Sequence, residues 1–420
     1  MTARPGPDQP ARHLIDWPAI NLRVTDDRLI ARAGFAIPHA MSGIDTIAHL
    51  RQPPSESEAR ILGIVLRNGG TTQPEIVQAS GLSQQTVSRL VNDLVARGAL
   101  VLGNRRGNGR RGQPRVEIEI NPRYAYSLGI GLMTDAMSIV LMDFAGNVIG
   151  HDHFNLPVMS RSAVFARIGE ARARFLVQTP SARERLVGAG IGILGPCLDG
   201  KCRFNPPRAL DEFAMVPIDT LFAEQLDLPC WAESDGNAAA VGESFLGAGR
   251  NFANFVYIYI AAGLGGGIII NNRLLRGSHG NSGEIGRMLP WRNFQIPTLE
   301  TLLHTLRKCG VELDGISTML DNFDPDWPGV DEWITRSRDQ FSLITSAIAA
   351  LVDPEAIVLG GRLPRSLANK LLPAIELFDD ARREMPRPLP RIIASQTTYD
   401  ACAVGAAMLP LEQTCYATML

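Results

Sequence analysis

Residues 71–98 read TTQPEIVQASGLSQQTVSRLVNDLVARG, and their punctuation decides how the N-terminal third folds. Thr72 with Glu75 three residues later is a capping box, Pro74 is tolerated in a first turn, and together they predict a short helix through Ala79. Gly81 makes a turn. Ser83 then caps a second helix, in which Val87, Leu90, Val91, Leu94 and Val95 recur at i, i+3, i+4, i+7 and i+8 as one core-facing stripe before Gly98 closes it. Two helices joined by a tight glycine turn form a helix-turn-helix, whose second helix enters the major groove with its N-terminal residues at base edges.

Working outward, Ser55 and Glu58 repeat the capping box for a preceding helix with Ile61, Leu62, Val65 and Leu66 on one side, ended by Asn68-Gly69-Gly70. Downstream, strands predicted at 99–102 and 116–120 flank the loop GNRRGNGRRGQPR, which carries Arg105, Arg106, Arg110, Arg111 and Arg115 and no acid. Arginine interleaved with glycine reaches phosphates or a narrow minor groove, as a wing does. The second helix offers Gln84, Gln85, Thr86, Ser88 and Arg89 off its apolar stripe; Gln and Arg have the forks that pair with adenine and guanine. With the caps Thr72 and Ser83 and the wing residues Arg105, Arg106, Arg110 and Arg111, these are the candidate DNA contacts. The competing reading is a protein–protein module with a solvated charged loop.

The whole chain has 420 residues, 41 basic and 43 acidic, for a net charge of −2. That length excludes a disulfide-stapled mini-protein and predicts two to four domains. Forty glycines and 28 prolines are more than an all-helical bundle carries. The average charge conceals an uneven distribution. Residues 55–122 hold nine arginines against six acids, a net +3, residues 1–54 net +1, and the remainder about −6. The six cysteines form no C-x-x-C pair, which fits reduced thiols, and neither a secretory leader nor a membrane-spanning apolar run is present, so a cytoplasmic protein is expected. Residues 1–54, proline-rich with a weakly amphipathic stretch at 26–37, are given no role.

From Arg123 onward strands alternate with helices, as in an α/β sheet domain. Residues 124–150 read as three strands with a turn at Ala145-Gly146-Asn147; residues 186–194 form another; Asp235 opens a small-residue helix; a strand at 255–260 is followed by the glycine-rich turn Ala261–Gly267 and by Asn271-Asn272, a hairpin turn. Helices are predicted at 333–352 and 402–408, with a strand at 356–359.

The order and wording of GIGILGPCLDG (190–200), PCWAESDGNAAAVGESFLGAG (229–249), YIAAGLGGGIIINNRLLRGSHGNSGEIG (259–286), VDPEAIVLGG (352–361) and AVGAAM (403–408) resemble the ROK family of repressors, open reading frames and kinases. The preceding winged helix resembles its repressor branch. The resemblance implies an α/β fold in which the winged helix-turn-helix at 55–122 precedes a two-lobed, actin-like (ribonuclease H-like) sugar-kinase domain at 123–420, with a ligand cleft between lobes.

Departures from the kinase pattern carry the functional expectation. Where kinases of the family have a D-x-G-G-T-K-like phosphate turn, this chain reads Gly131-Leu132-Met133-Thr134-Asp135-Ala136. Both phosphate-loop glycines are gone and Asp135 would repel phosphate. The second phosphate turn reads Ala261-Ala262-Gly263-Leu264-Gly265 and lacks the threonine hydroxyl. No catalytic residue and no cofactor are therefore assigned. Asp235 falls at the family's general-base position, where it either contacts a sugar hydroxyl or serves as the helix N-cap. The resemblance also implies sugar contacts at Ser234, Glu284, Arg287 and Glu300. Arg287 replaces the usual histidine and offers a donor fork suited to phosphate or carboxylate, so either the effector is anionic or Arg287 pairs with a nearby glutamate beside a vestigial pocket. The family's zinc-binding C-x-C-G-x-x-G-C run is absent: residues 287–300 hold no cysteine or histidine, no metal is expected, and Trp291, Phe294 and Ile296 should pack that loop instead.

The resulting expectation is a DNA-binding regulator, a repressor of carbohydrate genes, that binds operator duplex as a homodimer or higher homo-oligomer and responds to a sugar or sugar derivative. The alternatives are an active sugar kinase bearing a DNA-binding domain, and a ligand-independent DNA binder.

Overall fold

The computed structural model describes residues 53–106, 115–198, 202–290, 292–379, 387–397 and 399–416, and all statements below concern these. The stretch at 26–37, the wing-tip residues Arg110 and Arg111, and Trp291 lie outside them.

The head comprises α1 (Glu56–Asn68), α2 (Gln73–Ser80), α3 (Gln84–Ala96) and the antiparallel hairpin β1 (Leu100–Arg106) and β2 (Arg115–Ile120). Ser55 caps α1 with both halves of the box to Glu58, and Gly69 ends it at φ 63°. Thr71 pairs with Ile118, tying the α1–α2 junction to the wing strand. On α3 the stripe Val87, Leu90, Val91 and Leu94 is at most 5% exposed. Burying each such side chain contributes roughly 1.5–3 kcal/mol, which orients the opposite face outward. The wing strands run further than expected, so Arg105 and Arg106 fall in β1, opposite Val116 and Arg115, after an irregularity between Leu102 and Arg105.

The body repeats one sheet order twice. In the first lobe β3 (Tyr126–Leu132), β4 (Ala136–Asp143), β5 (Val148–Asn155), β6 (Leu186–Ile193) and β7 (Cys230–Ser234) lie in the order β5-β4-β3-β6-β7, with α4 (Arg161–Gln178) and α5 (Ile218–Leu226) in the connections. Next come α6 (Asp235–Leu246), β8 (Phe255–Ile260), β9 (Leu264–Ile270), β10 (Arg273–Leu274), α7 (Leu299–Lys308), α8 (Ile316–Asp321), α9 (Val330–Leu351), β11 (Ala356–Gly361), α10 (Arg365–Leu371), β12 (Arg391–Ala394) and α11 (Ala401–Thr414). The second sheet runs β10-β9-β8-β11-β12. In both lobes the first three strands form an antiparallel meander and the last two pair in parallel, which requires helical crossovers.

The expected turn at 261–267 is shorter. Only its first residues turn, and Gly265, Gly266 and Gly267 belong to β9. At Gly266 and Gly267 the lack of a side chain serves packing: a Cβ on Gly266 would meet Tyr257 O at 2.2 Å, and one on Gly267 would meet Ala240 Cβ of α6 at 2.6 Å. Where α11 crosses α6, a Cβ on Gly405 would stand 1.7 Å from Ala238 O, so the two central helices touch backbone to backbone.

One apolar cluster runs without interruption from the head (Ile61, Leu62, Val91, Leu94) through α6 and α11 (Ala239, Phe245, Ala403, Met408) to Tyr257 in the second sheet. Phe144 stacks on Tyr416 at 4.8 Å and tilts against Tyr124 at 4.9 Å at that junction. The head and body thus share a core. All six cysteines are free thiols, and burial pushes Cys202 and Cys230 up to about 12, so both stay protonated at neutral pH.

Candidate functional site

Two surfaces gather the candidate residues. On the head, Ser83 caps α3, its Oγ accepting from Thr86 N at 3.2 Å and lying 2.9 Å from Thr86 Oγ1. That pair fixes the helix start and leaves Gln84 and Gln85 exposed on its first turn, with Ser88 half-buried beside the stripe. Arg89 is exposed and leans 3.5 Å from Asp93, an exposed i,i+4 pair of little strength, so its fork can exchange Asp93 for a base edge. Thr72 requires correction as a DNA contact. It is 3% exposed, its N–H donates to Glu75 at 2.8 Å, and its hydroxyl is enclosed without a hydrogen-bond partner. Its neighbour Thr71 bridges to Ile118 of β2, a pairing that local sequence could not reveal. β1 and β2 expose Val101, Leu102 and Val116 on the wing.

In the body, Ser234 ends β7 and caps α6, accepting from Asn237 N at 3.3 Å. The N-cap role is therefore Ser234's, and Asp235 is the first helical residue. Asp235 accepts from Gly236 N at 2.8 Å, and a part of its surface stays open. Burial pushes its carboxyl up to about 7, with the negative charges of Glu284 and Asp400 adding to that push. A carboxyl poised near neutrality accepts a hydroxyl's hydrogen bond when ionised, and donates one when protonated. Glu284 pairs with Arg287 at 3.2 Å, while the Arg287 side chain remains 68% exposed, leaving part of its fork free. The two border a cleft of about 490 Å³ together with Gly263, Leu264, Ile296 and Thr298. Glu300 sits exposed on the first turn of α7, just past the Thr298 cap, and no described contact joins it to Asp235, Glu284 or Arg287. Phe294 and Ile296 pack against the core holding Leu289 and Leu299, as expected. Among the described residues no group of three or more His, Cys, Asp or Glu is arranged to hold a metal ion.

The position of the kinase phosphate turn is filled. Asp135, between β3 and β4, receives Arg362 Nη1 at 3.0 Å, Ser317 N at 3.0 Å and Ser317 Oγ at 2.8 Å, while Arg362 Nη2 donates to Ser317 Oγ at 3.0 Å. Ser317 belongs to α8 and Arg362 follows β11, so this clasp joins the two lobes. Burial raises the Asp135 carboxyl, but the Arg362 charge and the bonds from Ser317 outweigh it and hold it below the ordinary value. The expectation of a free negative charge repelling phosphate is thereby corrected: the charge is neutralised within the protein. Sequence reading missed Ser317 and Arg362, although the arginine directly after VLGG was a visible signal. A second cavity of about 450 Å³, lined by His153, Gly360, Arg362, Ser395, Tyr399 and Asp400, opens beside the clasp.

With this geometry in hand, residues 127–298 match the ROK family model and residues 53–111 match the MarR family model. An uncharacterized protein, y4fQ of Sinorhizobium fredii, is 30% identical over 364 residues, covering 85% of this chain and 91% of that protein. The chain belongs to the ROK family. The xylose repressor of Bacillus spizizenii is 31% identical to this ROK protein over 54% of the chain, which spans 59% of the repressor's length. A solved ROK family transcriptional regulator, a homologue of the Escherichia coli MLC protein, shares the fold with a TM-score of 0.62 at 20% identity, over 89% of this chain and 98% of that one.

Proposed function

We propose that this ROK protein is a sugar-responsive transcriptional repressor. Its head reads duplex DNA through Gln84, Gln85 and Arg89, and its body binds a sugar or sugar derivative at Asp235, Glu284 and Arg287 without phosphorylating it. The observation that carries the reading is the combination of an exposed polar face on α3 with an Asp135–Arg362 clasp where a kinase cradles nucleotide phosphates. The resemblance to a xylose repressor supports the regulatory role and the sugar class of effector. Arg287 retains unpaired donors, which favours a phosphorylated or carboxylated sugar over a neutral one. Two heads spaced by a symmetric dimer would match paired half-sites on an operator. The effector acts by favouring one arrangement of lobes and heads over another, since a ligand with equal affinity for both shifts nothing.

Selection of duplexes from a random pool by the full chain, followed by fluorescence anisotropy with and without sugars, tests the reading. Specific duplex binding that changes with one of the sugars supports it. A coupled assay showing sugar-dependent ATP turnover that Asp235→Asn abolishes would replace it with the kinase reading.

A further inference from the structure

The cavity of about 450 Å³ beside the clasp shares no lining residue with the Glu284–Arg287 cleft. Its walls come from the ends of β11 and α8, the start of α10, and the segment 395–400 that leads from β12 into α11. Buried groups hold that segment in place. Glu243 of α6, 0% exposed, accepts from Ala248 N, Ser395 Oγ and Thr397 Oγ1 at 2.7 Å each, and from Gln396 N at 3.2 Å. Ser395 N donates to Leu359 O at 2.7 Å, and Gly361 N donates to Tyr257 Oη at 2.8 Å. The backbone around the cavity is therefore fixed before any ligand arrives, which removes much of the ordering cost of binding.

The side chains on this fixed wall keep free polar groups. Among the described residues, the Arg365 guanidinium, the Asp321 carboxylate and the Gln396 amide line the cavity without a hydrogen-bond or ion-pair partner. One oxygen of Asp400 caps α11, accepting from Ala403 N at 2.7 Å, and the other is left over. Tyr399 is 46% exposed, with its ring 5.0 Å from that of His151. His153 is already engaged, its ring nitrogens lying 2.9 Å from Ser138 Oγ and 3.2 Å from Asn155 Oδ1, and Arg362 is neutralised by Asp135. The charges that remain are Arg365, Asp321 and Asp400, one more negative than positive, so a phosphate or carboxylate is disfavoured here. A neutral polyol instead meets carboxylates that accept from its hydroxyls, and a guanidinium and an amide that donate to them. The Tyr399 ring adds a flat apolar face with a polar tip, the complement of a pyranose with its C–H face and rim of hydroxyls. We propose that this cavity is a second ligand site, which takes a neutral saccharide, separate from the cleft whose Arg287 favours an anionic one. Its volume lies within the range of small-molecule sites. Because Arg362 forms part of the wall and also holds Asp135, the saccharide sits against the interlobe clasp.

Calorimetric titration of the full chain tests this, with D-glucose, D-xylose, N-acetyl-D-glucosamine and maltose as neutral probes and D-glucose 6-phosphate and ADP as anionic ones. At least one neutral saccharide is expected to bind with a Kd below about 1 mM. Arg365→Ala combined with Tyr399→Ala is expected to weaken that binding about tenfold or more. Arg287→Ala, in the other cleft, is expected to keep it within about twofold. No neutral saccharide bound at ~10 mM, or one bound unchanged by the double variant, overturns the proposal. An anionic probe that binds more tightly than every neutral one and is lost in Arg365→Ala also overturns it, because the wall would then be an anion site. Both replaced side chains are exposed. If the double variant nevertheless fails to fold by circular dichroism, Arg365→Ala and Gln396→Ala are titrated singly, each expected to weaken binding about threefold, and unchanged affinity in both overturns the site. No operator enters the measurement, so its outcome is independent of the regulatory reading.

Discussion

Gln85 and Arg89 carry the sharpest residue-level expectations, because both are exposed on α3 and neither supports the core. Gln85→Ala should cost about 1–3 kcal/mol against the selected duplex and almost nothing against random DNA, measured by anisotropy. Asp235 predicts a pH dependence. With its carboxyl at about 7, the ionised fraction rises about tenfold between pH 6 and pH 8, and affinity for a hydroxyl donor should rise with it in calorimetric titrations. A raised folded-state value means that folding disfavours the ionised form, so this group removes stability as pH climbs from the ordinary carboxylate value through about 7. Asp235→Asn should flatten both trends. The identity of these residues was legible in sequence; the poise of Asp235 was not, because it arises from its burial and, after that, from the charges of Glu284 and Asp400, which are distant in the chain.

At the scale of elements, the clasp gives the clearest prediction. Arg362 is 6% exposed on its side chain, so Asp135→Asn leaves a buried guanidinium without its counter-charge and should destabilise the protein by roughly 3 kcal/mol in urea unfolding. The double change Asp135→Leu with Arg362→Leu should recover most of that loss, since an apolar pair removes both desolvation costs. Asp135 is depressed, so its stabilisation is fully present above the ordinary carboxylate value and is lost as pH falls through its folded-state value. On α3, Leu94→Ala should cost about 2–5 kcal/mol by opening a cavity in the shared core. Caps and helix starts were readable because they depend on residues three or four apart: Ser55 with Glu58, and Ser83 with Thr86. Gly266 and Gly267 of β9 read locally as a turn because the reasons for them, the close approach of Tyr257 O on β8 and of Ala240 on α6, lie outside the local sequence.

For the whole molecule, the uneven charge predicts salt-sensitive binding. The logarithm of operator affinity should fall linearly with the logarithm of salt, and Arg110→Ala or Arg111→Ala should weaken all duplexes while reducing that slope by about one. Analytical ultracentrifugation should find two chains per operator, and a single chain on an unpaired site would overturn the dimeric reading. The helix-turn-helix, the basic wing, the family blocks and the loss of the phosphate glycines were readable from residue order alone, because each is a matter of neighbouring residue types and short-range spacing. Long-range packing is what buries Thr72 and brings Ser317 and Arg362 onto Asp135. Those facts depend on which buried charges long-range packing brings within a few ångströms of one another, where low polarisability makes each position depend on all the others.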